Sequence, residues 1–159
     1  MCSKVLFPGS FDPFTRGHED IVRRALSLFD CVVVAIGVNS SKQGLFPVEL
    51  RQRWIESCFP DHNRVQVVTY EGLTVDFCKK NGISCILRGV RNVADYEYEC
   101  SLAEANRWIE GGIETLFLPC SGSLAGISSS LVRELLRYGH PVDELLPQAM
   151  QGVLNPSQS

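Results

Sequence analysis

The chain has 159 residues, 45% of them hydrophobic and 21% charged, and its 15 Lys plus Arg against 18 Asp plus Glu give a formal net charge of −3. That is the size of one compact domain with a full core, and the composition excludes a disordered, collagen-like or coiled-coil protein. The mildly acidic balance offers no footprint for a polyanion, so no nucleic-acid partner is expected, and any anionic ligand must be held by local positive groups.

The opening Met-Cys-Ser-Lys runs into only three apolar residues before Pro8. The longest apolar stretch, 31–38, is far short of the roughly 20 residues that span a bilayer. Neither a secretory signal nor a membrane partner is expected. Seven cysteines (2, 31, 58, 78, 85, 100 and 120) are odd in number and contain no C-x-x-C pair. A disulfide framework and a zinc knuckle are therefore not written here, and buried thiols in a reducing cytoplasm are expected.

In chain order, a first apolar run at 5–7 leads through Pro8-Gly9-Ser10-Phe11-Asp12-Pro13 to Thr15-Arg16-Gly17-His18. There a helix pattern opens over 18–29, with Ile21, Val22, Ala25, Leu26 and Phe29 on one face. A second run, 31–38, precedes a helix pattern at 48–58 that follows Pro47 as a first-turn proline. A third run, 65–70, precedes a helix at 74–81 with a capping residue in front and Gly82 behind. A fourth run, 83–87, precedes a long helix at 95–109, and a fifth run falls at 115–118. A Gly/Ser-rich loop, 119–127, then leads to a helix at 129–138 closed by Gly139. The last apolar segment, 142–154, reads as helical around Pro147, and the tail 155–159 as frayed.

Short, β-branched, continuously apolar runs are the signature of strands buried on both faces. Alternating with helices, they predict an α/β fold: a single Rossmann-like domain over 1–159, with a five-stranded parallel sheet and helices on both faces. Ligands of such sheets sit outside the carboxyl ends of the strands, so the informative residues come just after each strand.

After the first strand, Gly9 lets backbone approach a ligand, Ser10 supplies a hydroxyl, and His18 lies in a first helical turn, where free N–H groups favour anions. Lys42 follows the second strand, where a phosphate would meet a mobile point charge. Arg88 and Arg91 bracket the end of the fourth, and a guanidinium can grip phosphate with two parallel bonds. Ser128, Ser129 and Ser130 open the late helix, and an ordinary N-cap explains one serine but not three. No G-x-x-x-x-G-K-[ST], G-x-G-x-x-G or G-x-S-x-G motif is present, which disfavours a P-loop enzyme, a dinucleotide-binding protein and an α/β-hydrolase. With three histidines (18, 62 and 140) and no H-E-x-x-H, no protein-built metal site is expected.

These residues carry a resemblance. Gly-Ser-Phe-Asp-Pro at 9–13 followed by Thr-Arg-Gly-His at 15–18 resembles the nucleotidyltransferase superfamily, relatives of class I aminoacyl-tRNA synthetases. Arg-Gly-Val-Arg-Asn-Val-Ala-Asp-Tyr-Glu-Tyr-Glu at 88–99 and Ile-Ser-Ser-Ser-Leu-Val-Arg at 127–133 resemble signatures of the bacterial phosphopantetheine adenylyltransferase family. The matches are in order and cover essentially the full length.

The resemblance implies transfer of the adenylyl group of ATP to 4′-phosphopantetheine, giving dephospho-coenzyme A and pyrophosphate, with Mg²⁺ arriving on ATP. It implies that His18 and Lys42 stabilise the transition state, that Ser10 orients the attacking phosphate, and that Arg91 and Ser128–Ser130 grip the triphosphate. Gly9, Phe11, Gly17, Gly89 and Glu99 would complete the ATP site, with Leu124 near adenine. Arg88 would hold the phosphate of phosphopantetheine, and Leu73, Thr74 and Asn106 its arm. A homohexamer under feedback inhibition by coenzyme A is implied as well. A sister transferase acting on nicotinamide mononucleotide or a sugar-alcohol phosphate is one alternative, against which the 88–99 block argues. A non-catalytic nucleotide-sensing module is another, disfavoured because every expected catalytic position is filled.

Overall fold

The computed structural model describes residues 4–154; Cys2 and the tail 155–159 lie outside them. Five strands, β1 (Lys4–Gly9), β2 (Cys31–Val38), β3 (Val65–Glu71), β4 (Cys85–Val90) and β5 (Glu114–Pro119), form one sheet in the order β3-β2-β1-β4-β5. Every neighbouring pair is parallel. Five helices, α1 (Arg16–Ala25), α2 (Val48–Cys58), α3 (Thr74–Lys80), α4 (Val93–Ile109) and α5 (Ser129–Arg137), complete the Rossmann-like α/β fold.

The continuous apolar run of β2 fills two cores at once. Val32, Val34 and Ile36 pack with Ile21 and Val22 of α1, Ile55 of α2 and Val132 of α5. Cys31, Val33 and Ala35 point to the other face, against Val75 and Cys78 of α3. Each large apolar side chain so buried contributes roughly 1.5–3 kcal/mol before entropy is counted. The expectation of burial on both faces fails at β3 and β5. These are the sheet edges, and residues such as Gln66, Thr69 and Leu116 face solvent.

Two other expectations are corrected. Pro47 is the N-cap of α2, with ψ at 145°, rather than its first helical residue. The segment 142–154 is not an α-helix but carries two 3-10 turns, Asp143–Leu145 and Gln148–Met150. Pro47 and Pro147 act alike in ending the extended stretch before a helical turn, and Pro147 holds Leu146 extended at ψ 151°. The apolar residues of this segment, Val142, Leu146 and Met150, lie in the core. Gly82 and Gly139, at φ +63° and +72°, take the left-handed conformation that closes α3 and α5. No helix of the described residues is long and apolar enough to cross a membrane.

The strand order reverses between β1 and β4. From β1 the chain builds outward through β2 and β3, then crosses back to lay β4 and β5 on the other side. The crevice above the carboxyl ends of β1 and β4 is thus the topological switch point, where open α/β sheets bind ligands.

Candidate active site

At the switch point, β1 delivers Gly9 into a tight turn. Phe11 takes a left-handed φ of +46°, a conformation that costs a bulky residue energy and that only the surrounding packing can enforce. The turn folds the Phe11 ring back over Gly9, where an added Cβ would lie 2.9–3.2 Å from ring carbons. Glycine is therefore required by close approach. Phe11 is 2% exposed, and its ring meets the His18 imidazole edge-on, with centroids 5.1 Å apart. Phe14 stands 5.3 Å from the same imidazole.

Thr15 caps α1, and His18 is the third residue of that helix in a reciprocal capping arrangement. The Thr15 backbone N–H donates to His18 Nδ1 at 3.0 Å. An N–H donor fixes Nδ1 as acceptor, so the neutral ring carries its proton on Nε2. The phenylalanine wall strips water from the imidazole, and the guanidinium groups of Arg88 and Arg91 oppose a further positive charge. Together they push the His18 pKa down to about 3 from its ordinary 6.5. At neutral pH His18 is an uncharged Nε2–H donor.

This shift has a consequence for stability. Between pH 6.5 and about 3 the unfolded chain protonates His18 and the folded protein does not. Stability is complete above pH 6.5 and falls as pH drops toward 3, by up to about 1.4 kcal/mol per pH unit from this group. Urea unfolding at pH 7.5 and pH 5 will show that loss in the wild type and a smaller one in His18→Gln. Equal losses in the two proteins would contradict it.

A cavity of about 390 Å³ opens over the switch point, lined by Gly9, Ser10, Phe11, Gly17 and His18 from the first turn, Arg88, Gly89, Arg91 and Glu99 from the β4 end, and Ser128, Ser129 and Ser130 from the start of α5. Ser128 caps α5 by accepting the Leu131 N–H, and the Ser129 hydroxyl donates to the Pro13 carbonyl. Gly89 sits where a Cβ would lie 3.2 Å from Ile21, so the strand end and α1 pack closely. Arg91 is held by Asp95, its Nε donating to the carboxylate at 2.8 Å. That hydrogen bond lowers the Asp95 pKa, more than offsetting partial burial.

Two further compartments share walls with the first. A cavity of about 780 Å³ contains Ser10 and Lys42. A smaller one of about 140 Å³ is bounded by Gly9, Thr74, Asn106, Arg88 and Glu99. Ser10 borders the first and second, Arg88 the first and third. Thr74 shares a hydrogen bond of 2.8 Å with the Tyr70 hydroxyl.

Not every expected residue reaches these cavities. Leu73 is the N-cap of α3 and 52% exposed, outside all three linings. Leu124 sits in a 3-10 turn, Gly122–Leu124, outside all three linings, with its carbonyl 3.9 Å from where a Cβ on Gly17 would be. Glu99 borders the main cavity, but its carboxylate is committed to Arg88. Arg88 Nε and NH2 donate to its two oxygens at 2.8 and 2.7 Å. Arg88 NH1 donates to the Pro8 carbonyl at 2.6 Å. Of five guanidinium hydrogens, one on each terminal nitrogen remains for a ligand. Glu99 thus aims Arg88, a part the sequence reading did not give it.

Sequence reasoning missed Arg133, Asp12 and Arg51. Arg133 lines both larger cavities and donates to the Asp12 carbonyl and to Ser130 Oγ. It ends the 127–133 motif, and Asp12 lies inside the 9–13 motif, so each had a positional signal. Arg51, in the middle of α2, had none.

A parallel sheet whose switch point gathers arginines, hydroxyls and a helix N-terminus around a Thr-x-Gly-His turn defines a nucleotidyltransferase. Residues 6–135 match the cytidylyltransferase-like family. The fold is similar to that of a bifunctional NMN adenylyltransferase/ADP ribose pyrophosphatase from Francisella tularensis, with a TM-score of 0.75 and 17% identity over 97% of this chain and 48% of that one. Phosphopantetheine adenylyltransferase of Flavobacterium johnsoniae is 51% identical over 148 residues, 93% of this chain and 97% of its own. That of Cytophaga hutchinsonii is 47% identical over 147 residues, 92% and 98% of the two chains. The chain belongs to the phosphopantetheine adenylyltransferase family.

Proposed function

We propose that the chain transfers the adenylyl group of ATP to the phosphate of 4′-phosphopantetheine, giving dephospho-coenzyme A and pyrophosphate in coenzyme A biosynthesis. The observation that carries this reading is the convergence of Arg88, Arg91, the neutral His18 and the α5 serines on one cavity, with Lys42 across the shared Ser10 wall.

An acceptor phosphate monoester has its second pKa near ~6, so it is largely dianionic at neutral pH and needs no general base. One of its oxygens forms a bond to the α-phosphorus while the bond to the pyrophosphate oxygen breaks, and the leaving group departs with that electron pair. The protein's work is to bring two anions together in line and to stabilise the charge on the transferring group. In this reading Arg88, steadied by Glu99, holds the acceptor phosphate, and Ser10 orients it. Arg91 and Ser128–Ser130 hold the triphosphate, with Gly9, Phe11, Gly17 and Gly89 lining the same cavity and Leu124 near the base. His18 Nε2–H and Lys42 act on the oxygens that gain charge. Thr74 and Asn106 fit the pantetheine arm through the small cavity, which Leu73 does not line.

Magnesium would come with the triphosphate, since it keeps several waters and binds phosphate oxygens. The cavity's own carboxylates, Asp95 and Glu99, are each engaged by an arginine. Among the described residues no group of three His, Cys, Asp or Glu could hold a metal ion. Cytoplasmic residence, a homohexamer and feedback by coenzyme A belong to the same reading and rest on the family.

The test is pyrophosphate release with 4′-phosphopantetheine, nicotinamide mononucleotide or no acceptor. Release that depends on 4′-phosphopantetheine is expected. Release with nicotinamide mononucleotide instead, or none with any acceptor, would overturn the reading.

A further inference from the structure

Lys42 lies in the segment joining β2 to α2, an exposed stretch whose nearby hydrogen bonds are local. The Lys42 N–H donates to the Asn39 carbonyl, and Ser41 bonds the Asn39 side chain. An exposed lysine on a segment held only by local bonds gives no fixed geometry to a phosphate. The end of the segment, however, is tied down. Asp12, 6% exposed, accepts the Leu45 N–H on Oδ2 at 2.7 Å and the Phe46 N–H on Oδ1 at 2.9 Å. Arg51, also 6% exposed, donates from Nε to the Phe46 carbonyl at 3.0 Å and from NH1 to the Ser10 carbonyl. Its Nε stands 4.0 Å from Asp12 Oδ1.

The main-chain carbonyl of Asp12 accepts from Arg133, which also reaches Ser130 at the start of α5. One buried residue therefore connects the Ser10 turn, the Lys42 segment and the serine-bearing helix end. We propose that Asp12, with Arg51, is a positioning residue that sets the distance between Lys42 and the Ser10 and Ser130 anchors, and so acts on the chemical step through Lys42. This rests on the role given to Lys42 in the proposed function.

The chemistry of the contact suits that task. An ionised carboxylate only accepts, so both oxygens can face backbone N–H groups, and charge assistance makes such bonds strong. Asparagine would keep the shape but turn an NH2 toward one of the two N–H groups, releasing one side of the segment. Gly44 gives an independent handle: a Cβ there would lie 3.0 Å from Asp12 Oδ2 and 3.2 Å from Arg51 NH2. Gly44→Ala therefore crowds the contact between the segment and Asp12 and Arg51 while keeping both of those side chains in the protein.

The experiment is steady-state kinetics of the full chain for wild type, Asp12→Asn, Lys42→Ala and the double variant, with thermal melting of each. Asp12→Asn should lower kcat by about a hundredfold, the loss that small misplacements cause, with KM for ATP changed by less than about threefold. In the Lys42→Ala background the same change should cost less than about twofold more, because the group it positions is gone. Gly44→Ala should lower kcat in the same Lys42-dependent way, and it carries the test if Asp12→Asn fails to fold. Losses that multiply in the double variants would overturn the proposal and leave Asp12 a purely structural residue. A Lys42→Ala protein with undiminished kcat would instead overturn the Lys42 assignment, and the proposal with it.

Discussion

His18→Ala should lower kcat by about 10²–10³-fold, the usual cost of removing one preorganised donor aimed at developing charge, while ATP affinity changes little. The asymmetry follows from the state of the ring. A neutral imidazole contributes little Coulomb attraction to a bound triphosphate, which the arginines already supply. Its Nε2–H gains most when negative charge builds on the oxygen it faces, so its contribution belongs to the transition state. The Thr15 N–H that fixes the tautomer makes this a property of the capping turn as much as of the histidine. Stopped-assay kinetics with calorimetry of ATP binding will check it. A kcat within about twofold of wild type would remove His18 from the chemical step.

Arg88→Ala should produce two separable losses. Phosphopantetheine affinity should fall by roughly 10- to 100-fold, the worth of charge-assisted hydrogen bonds to phosphate. Stability should also fall, by about 3–5 kcal/mol, because the Glu99 carboxylate is left buried without its partner; its side chain is only 9% exposed. The double variant Arg88→Ala/Glu99→Gln distinguishes them. Removing the orphaned charge should restore much of the stability and none of the affinity. Calorimetry showing unchanged phosphopantetheine binding in Arg88→Ala would take Arg88 out of the acceptor site.

The fold was legible where a local pattern is enough. The run at 31–38 became β2 with both faces buried, and Gly82 and Gly139 closed the helices they follow. What was not legible depends on the strand order. That β3 and β5 are edges is decided by where β1 sits in the sheet; Gln66 and Thr69 are the polar residues in 65–70 that fit an edge, while 115–118 has only Thr115 to suggest it. The segment 142–154 looked helical from its apolar content, but Pro147 has no N–H to continue a helix, and two short turns suffice to bury Val142, Leu146 and Met150.

The site divides the same way. Residues near the carboxyl ends of strands, such as Ser10, Lys42 and Arg88, could be picked out because a parallel sheet points them at one crevice. Pairings across the crevice could not. Glu99 lies eleven residues from Arg88, and Arg51 forty-one from Ser10, spacings that carry no periodic signal. Glu99 therefore read as part of the ATP site and not as the partner of Arg88, and nothing marked Arg51, although both hold residues of the candidate site in place.

The most direct test of the account is a crystal structure with 4′-phosphopantetheine and a non-hydrolysable ATP analogue bound together. The account predicts an acceptor phosphate oxygen about 3–3.5 Å from the α-phosphorus and opposite the leaving oxygen, with Arg88 on the acceptor, and with His18 Nε2 and Lys42 Nζ both on phosphate oxygens. Two ligands seated with their phosphates apart, or with His18 and Lys42 touching neither, would contradict it.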